Sequence, residues 1–300
     1  MKNSIRIFRL MFLGLTISTI LFSSCKKDRI ESQEKQINDY QSMNNYFDTK
    51  KQQEQEFIID TAGTAPIVGN QGTKIYAAKD LLMFQNGDSV HWPYTLKLIE
   101  LYTPKDMIYY QMPTIASGGL LTTGGEVRIR AFKDGQELVL RPTKTWTIEM
   151  PNASPLSGMQ IYYGQGSSFI NWSPNPTGSY TTTSYGYTGL IAALGWTACG
   201  KPATVSATTT NYTFTSSVDN LQNVSTFIYF PSAKCLMQVY NQTSGAIPVG
   251  ENAKIILMGM NSSNDIFYYY NEAPISTSNQ ISVTLTQVSD ASLTAILDAL

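Results

Sequence analysis

The sequence predicts a mainly β protein: two β-sandwich-like domains after a signal peptide and a disordered tether, closed by a short C-terminal helix. Three observations lead there. From Gly72 onward, apolar and polar residues alternate in short runs, the period of a half-buried strand. The runs recur at roughly ten-residue spacing with turn residues between them, as in β-sandwiches. Charged residues make up only 14% of the chain, and polarity comes from Ser, Thr, Asn, Gln and Tyr, a composition suited to exposed sheet outside the cytoplasm.

The N-terminus carries a targeting pattern. Lys2, Arg6 and Arg9 make a basic start, and Leu10 to Phe22 is an apolar run of about thirteen residues. A membrane-spanning helix needs roughly 20, so the run reads as the core of a cleaved signal. Ser23 and Ser24 are small, and Cys25 follows. The arrangement resembles the lipobox of bacterial lipoproteins, in which the signal is cut before a cysteine that carries a diacylglycerol. Phe22 departs from the usual Leu three places before the cysteine, and Leu21 stands one place further out; this relaxed form resembles lipoproteins of Bacteroidota. The resemblance implies that residues 1–24 are removed, that Cys25 is lipidated, and that acyl burial, about 0.8 kcal/mol per CH₂, holds the protein to a membrane. It also implies a cell-envelope location, in the outer membrane with the protein facing the periplasm or the surface.

Residues 25–66 form the expected tether. The stretch from Lys26 to Thr64 is rich in Gln, Lys, Glu, Asp and Asn and poor in the apolar surface that offsets ordering entropy. As a flexible coil it would span about 35 Å.

Residues 67–151 form the first expected domain. TLKLIELY (Thr95–Tyr102) alternates, as does EVRIRAF (Glu126–Phe132), with Val127, Ile129 and Ala131 on one face and Arg128 and Arg130 on the other. ELVLRP (Glu137–Pro142) and TWTIEMP (Thr145–Pro151) follow, and Lys133-Asp134-Gly135 makes a hairpin turn. Residues 152–300 form the second. A proline-bearing, loop-rich stretch to about Tyr185 precedes STFIYF (Ser225–Phe230), CLMQVY (Cys235–Tyr240), AKIILMGM (Ala253–Met260), DIFYYY (Asp265–Tyr270) and QISVTLTQV (Gln280–Val288). Ser289 suits an N-cap, and Leu293, Ile296, Leu297 and Leu300 repeat at helical spacing.

Two quoted stretches carry a further resemblance. IELYTPKDMIYYQMPTIASGGLLTTGGEVRIRA (Ile99–Ala131) and LGWTACG (Leu194–Gly200), with the C-terminal strands, resemble a group of Bacteroidota lipoproteins of unassigned function. Gly200 and Lys201 stand where that group has an acidic-basic pair. The first domain also resembles a ZU5-type sandwich, a module of protein contacts. The resemblance supplies no catalytic residues.

Chemistry is sparse. One histidine and three cysteines leave little for metal sites or His-dependent catalysis, and a net charge of −1 argues against nucleic acid. Gly119 and Gly124 have phosphate-loop spacing, but Gly125-Glu126 and a strand replace the lysine and helix that such a loop needs, so the glycines read as turns. His91 lacks a patterned carboxylate and nucleophile, and Asp106 reads as a turn cap. The tyrosine clusters, such as Tyr109-Tyr110, read as packing, with sugar stacking or anchoring of a protein partner as the functional alternatives. Thr61 and Ser89, in Asp60-Thr61-Ala62 and Asp88-Ser89-Val90, match a short O-glycosylation pattern of Bacteroidota envelope proteins. Cys199 and Cys235 are an even pair in an oxidising compartment. A bond would close a loop of about 37 residues and stabilise by roughly 4 kcal/mol; buried free thiols are the other state the sequence leaves open. The expected function is a non-enzymatic binding or structural module held on its lipid anchor, with no cofactor and an envelope protein or glycan as partner. A fimbrillin-like pilus subunit is the alternative, and an extracytoplasmic hydrolase a third class.

Overall fold

Alternation in Thr95–Tyr102 and Glu126–Phe132 places two strands side by side at the centre of the fold. The computed structural model describes residues 37–60, 65–116, 119–165 and 170–300. Helix α1 (Asn44–Lys50) opens the folded chain, and β1 (Gln55–Ile59), β2 (Ile67–Val68), β3 (Lys74–Tyr76), β4 (Leu82–Met83) and β5 (Tyr94–Leu101) follow. Helix α2 (Pro104–Tyr110) leads into β6 (Ile115–Ala116), β7 (Gly119–Lys133), β8 (Gln136–Leu140) and β9 (Trp146–Pro151). Strands β10 (Gln160–Gln165), β11 (Asn171–Thr182), β12 (Gly186–Ile191) and β13 (Gly195–Pro202) complete a 13-stranded sheet, with main path β1-β5-β7-β13-β10-β11-β12-β9-β3-β2.

That sheet folds over on itself at β11. Residues near Asn171 pair with β10, whereas Tyr180–Thr182 pair with β12. The two layers close a sandwich core in which Leu96, Leu98, Val127 and Ile129 meet Trp146, Ile148, Met150 and Tyr187.

Beyond Pro202 the chain builds a second sheet. β14 (Thr209–Thr210) and β15 (Thr213–Thr215) are short; β16 (Ser225–Phe230) and β17 (Cys235–Val239) form a hairpin. β18 (Ile247–Pro248) pairs with β14, β19 (Asn252–Met260) with β16 and β20 (Ile266–Pro274), β21 (Gln280–Ser282) with β15, and β22 (Thr286–Val288) with β20. Helix α3 (Asp290–Asp298) follows, capped by Ser289, whose Oγ accepts from the Ser292 N–H at 3.1 Å.

The faces of both sheets define two more cores. Ile99, Leu101, Leu121 and Ala198, on the outer face of β5, β7 and β13, pack with Phe47 of α1, Met107 and Ile108 of α2, Leu293 and Leu297 of α3, and Phe227, Ile256 and Met258 of the second sheet. The far face of that sheet packs Ile228, Phe230, Met237 and Ile255 with Tyr212, Phe214, Val283 and Leu285. Alternation in the tyrosine run is as the strand period requires: Phe267 and Tyr269 pack on this third core and Tyr268 on the shared one.

β7 serves two cores only because of a bulge. Its register against β13 runs Cys199↔Gly125 and then Gly200↔Thr123, leaving Gly124 unpaired. The extra residue flips the side-chain parity, so Leu121 joins the shared core although Val127, Ile129 and Ala131 face the sandwich. Both glycines are required by close approach: a Cβ at Gly124 would meet Tyr187 Cε2 at 2.6 Å, and one at Gly125, whose φ is +127°, would collide with the Tyr102 ring. The Gly119/Gly124 spacing is thus strand and bulge.

Two sequence expectations need correction. The boundary at Pro151 falls within the large sheet, because β9 pairs with β12 and β10 with β13. The region read as loop-rich forms β10 and β11; Pro174 is the last residue in register, opposite Tyr162, and Pro176 falls in the break that follows before Gln160↔Ser179, one of the places a strand tolerates proline. Residues 37–300 form one compact unit. Second, the tether read over residues 25–66 is folded from Ile37 to Ile59. Tyr40, Met43, Tyr46 and Phe47 are buried, four apolar anchors within eight residues that the polar average of the segment conceals. Asn38 and the Tyr40 hydroxyl donate to Asp219 Oδ1 at 3.0 and 2.7 Å, Lys50 pairs with Asp290 at 2.7 Å, and β1 pairs along β5. Lys26–Gln36 and residues 61–64 lie outside the described residues.

Phe47 is fully buried among Tyr46, Tyr109 and Phe227. Phe47→Ala should therefore lower unfolding free energy by about 3–5 kcal/mol, read as a shift in the urea midpoint. An unchanged midpoint would return the segment to the status of a tether.

Candidate functional site

A groove of ≈570 Å³ opens on the outer face of β7 and β13, between the C-terminal ends of α1 and α2. Its floor is built by register. Trp196 of β13 lies opposite Arg128 of β7, and the guanidinium carbon stands 5.8 Å from the indole centroid. Tyr110, the last residue of α2, packs edge-on against Trp196 with ring centroids 6.0 Å apart. Gly164 on β10 admits this packing, because a Cβ there would lie 2.8 Å from Trp196 Cβ and 2.9 Å from Ile170 Cγ2.

α2 is fixed where it must be. Thr103 is its N-cap, accepting from the Asp106 N–H at 3.1 Å and donating through its hydroxyl to Asp106 Oδ2 at 2.8 Å. The cap is thus Thr103, with Asp106 its reciprocal partner in the first turn and Pro104 at the first helical position. At the other end Gln111 adopts φ +53°, and its Nε2 donates to Asn44 Oδ1 at 2.9 Å. The Tyr110 hydroxyl donates to the Gln52 carbonyl at 2.8 Å, tying the ring to the N-terminal segment.

The charges around the groove are unevenly matched. Arg130, two residues along β7, makes three hydrogen bonds to the Glu54 carboxylate at 2.6 to 3.1 Å. Lys51 pairs with Asp48 at 2.6 Å and lies 5.5 Å from the Tyr110 centroid. Arg128 is half-buried and forms no salt bridge among the described residues, although the carboxylates of Glu54 and Glu137 lie near enough to favour its charge. Burial, then the neighbouring Arg130, pulls its pKa below the usual guanidinium value. The Trp196 Nε1–H likewise has no acceptor there. The groove therefore offers donors and aromatic surface, with amide and carboxylate groups of Asn44, Asp48 and Gln111 at the rim.

A second cleft, ≈280 Å³, lies over the Gly124–Gly125 bulge beside Tyr102, Pro104, Tyr229 and Lys234. The Tyr102 hydroxyl is already engaged with Thr73 Oγ1 at 2.7 Å, and most of the remaining lining is proline, methionine and glycine.

The residues singled out from sequence are scattered. Cys25 and Thr61 lie outside the described residues. Ser89 is exposed in the turn after β4, where its Oγ accepts from Arg141 at 2.9 Å. Cys199 and Cys235 are free thiols in different cores, so the disulfide reading is corrected. Strand pairing aims Cys199 into the sandwich, whereas Cys235 opens a strand of the other sheet. Burial pushes the Cys199 thiol well up and that of Cys235 to about 12. His91 is exposed beside Trp92. Among the described residues no group of three or more His, Cys, Asp or Glu is placed to hold a metal ion. Sequence reading placed Arg128 on an outward face and Asn44, Asp48 and Lys51 on a tether; it missed the groove because nothing local pairs Arg128 with Trp196.

β5 and β7 each bury a carboxyl, Glu100 and Glu126. Glu100 receives donors from the Gln55 side chain and the Gln71 and Thr73 N–H groups at 2.8 to 2.9 Å. Glu126 is fully buried, and neither oxygen has a partner. Burial pushes its pKa well above the usual carboxylate range and so favours the neutral acid. Its contribution to stability is complete below the unfolded value, about 4.3. It is lost as pH rises toward the folded value, at about 1.4 kcal/mol per unit. Unfolding of wild type and Glu126→Gln at pH 4, 6 and 8 should show the wild type losing ground to the variant with each step. A difference independent of pH would mean that the carboxyl is not desolvated.

Searches of protein-family models, curated proteins and solved structures found no match to this chain.

Proposed function

We propose that this protein is a lipid-anchored envelope protein that acts by contact, as a binding module without turnover, and that the groove over Trp196 and Arg128 is its contact surface. The observation that carries the reading is the Arg128 guanidinium, which faces a groove without a salt-bridge partner among the described residues. Arg130 shows that this strand face can neutralise an arginine internally, with Glu54. Arg128, on the same face, is left open to a groove. A half-buried charge without a partner costs the fold free energy, and a ligand that pairs with it recovers that cost on binding.

The chemistry of the other candidates supports contact over catalysis. Both described thiols are buried and pushed away from the nucleophilic thiolate. His91 makes no hydrogen bond to a carboxylate among the described residues, so it lacks the orienting group a general base uses. The anchor rests on the apolar run that ends at Ser23-Ser24-Cys25.

Cys25→Ala should move the protein out of the membrane fraction, or leave the precursor uncleaved, and should abolish labelling by a radioactive fatty acid. Equal labelling of the variant would remove the anchor. Arg128→Glu, by contrast, should keep the membrane location and thermal midpoint while lowering recovery of cross-linked partner from intact cells. Turnover of a polysaccharide or peptide library by the purified protein would overturn the contact reading itself.

A further inference from the structure

We infer that the groove recognises a carboxylated sugar, a uronate unit of an acidic polysaccharide, through Arg128. The inference rests on the contact reading above and gives its ligand a chemical class.

Arg128 sets the anionic group. Its guanidinium carbon lies 5.8 Å from the Trp196 centroid, within cation–π reach, and none of its N–H groups has a hydrogen-bond acceptor among the described residues, so the planar donor fork is free for one. A planar fork of donors matches a carboxylate in bidentate geometry. The nearby ionic pair is internally neutral, since Lys51 is matched by Asp48. Arg128 is therefore the net charge of the lining, and electrostatic complementarity asks for one negative group opposite it.

The rest of the lining sets the sugar. The Trp196 indole and the Tyr110 ring supply apolar surface suited to the C–H face of a pyranose. Asp48 keeps one carboxylate oxygen, and Asn44 its amide nitrogen, with no partner among the described residues; these are the acceptor and donor that ring hydroxyls need. The volume of ≈570 Å³ falls within the range of about 300–1,000 Å³ typical of small-ligand sites. An extended peptide fits less well. Peptides commonly add to an open strand edge, yet β7 is flanked by β5 and β13, and β13 by β7 and β10. The groove offers side chains without a ladder of main-chain partners.

The test is titration calorimetry of the protein from residue 26 onward with three probes: a galacturonate hexamer, its carboxyl-reduced neutral counterpart, and a hexapeptide of glutamate. Tryptophan fluorescence provides a parallel reading. The galacturonate hexamer should bind, shift the emission and weaken as salt rises, and the neutral hexamer should bind at least about tenfold more weakly. Arg128→Gln should abolish that difference, and Arg128→Lys should recover only part of it because the fork is lost. The probe comparison on the wild-type protein needs no variant, so a misfolded Arg128→Gln leaves the inference testable. Equal binding of charged and neutral hexamers, or no binding of the uronate, overturns the carboxylate assignment. Tighter binding of the glutamate peptide overturns the sugar. None of these results touches the contact reading, which falls only if turnover is found or if Arg128→Glu leaves partner recovery intact.

Discussion

β7 is the element on which the rest of the structure depends, because both of its faces are buried and each belongs to a different core. A strand with one wet face tolerates polar residues at every second position. β7 has little such freedom from Leu121 to Val127, where every residue but Thr123 is buried, and regains it on one face at Arg128 and Arg130. Val127, Ile129 and Ala131 fill the sandwich, while Leu121 sits in the core shared with the helices and second sheet. A regular strand could not deliver both, since Leu121 and Val127 have the same parity. The Gly124–Gly125 bulge changes the parity between them, and Tyr102 and Tyr187 close over the space where side chains are absent. Filling either glycine would push back a ring that seals the junction between the cores.

The same logic explains why the N-terminal segment folds. The outer face of β5, β7 and β13 is too apolar to stand in water, and α1 is one of the pieces that cover it. α1 has seven residues, too few to be stable alone. Phe47 and Met43 hold it by burial, and Asp219 holds the chain just before it. Burial opposes ionisation of Asp219, but hydrogen bonds from Asn38, Tyr40, Leu285 and Ser216 outweigh it and keep the carboxyl below its ordinary range. A segment that looks dispensable by composition is fastened at both ends by specific contacts.

What was legible in the sequence follows from range. Strands whose identity depends on local alternation were read closely: Ser225–Phe230 matches β16 residue for residue, and the Ser289 cap with Leu293 and Leu297 foretold α3. QISVTLTQV, read as one strand, is split into β21 and β22 because Val283 and Leu285 turn into the third core between them. The Pro151 boundary, the loop reading of β10 and β11, and the groove all turn on pairings between residues far apart in the chain. Nothing in Arg128 or Trp196 taken singly says that they stand opposite one another; only the β7–β13 register does. Tyr110, at the end of α2, meets Trp196 only because the helix stops there, a contact that local sequence does not encode.

Glu126 and Arg128 show how the core and the groove are coupled. They lie two residues apart on β7 and so point to the same side of the sheet. An ionised Glu126 would supply the negative charge that Arg128 lacks, and the groove would be electrically closed. Burial opposes this. With Leu101 and Ala198 as its cross-strand neighbours, Glu126 meets no donor that could stabilise a carboxylate, and burial favours the protonated form. The cost of an unpartnered buried acid thus falls on the fold, while the charge of Arg128, without a salt bridge, remains available at the surface. Local rules of polar satisfaction fail twice on one face of one strand, and sites of that kind are where a sequence departs from pure stability for the sake of function. The neutral acid beneath and the open cation above are therefore best understood as one arrangement, in which the core withholds from Arg128 the counter-charge that a ligand would bring.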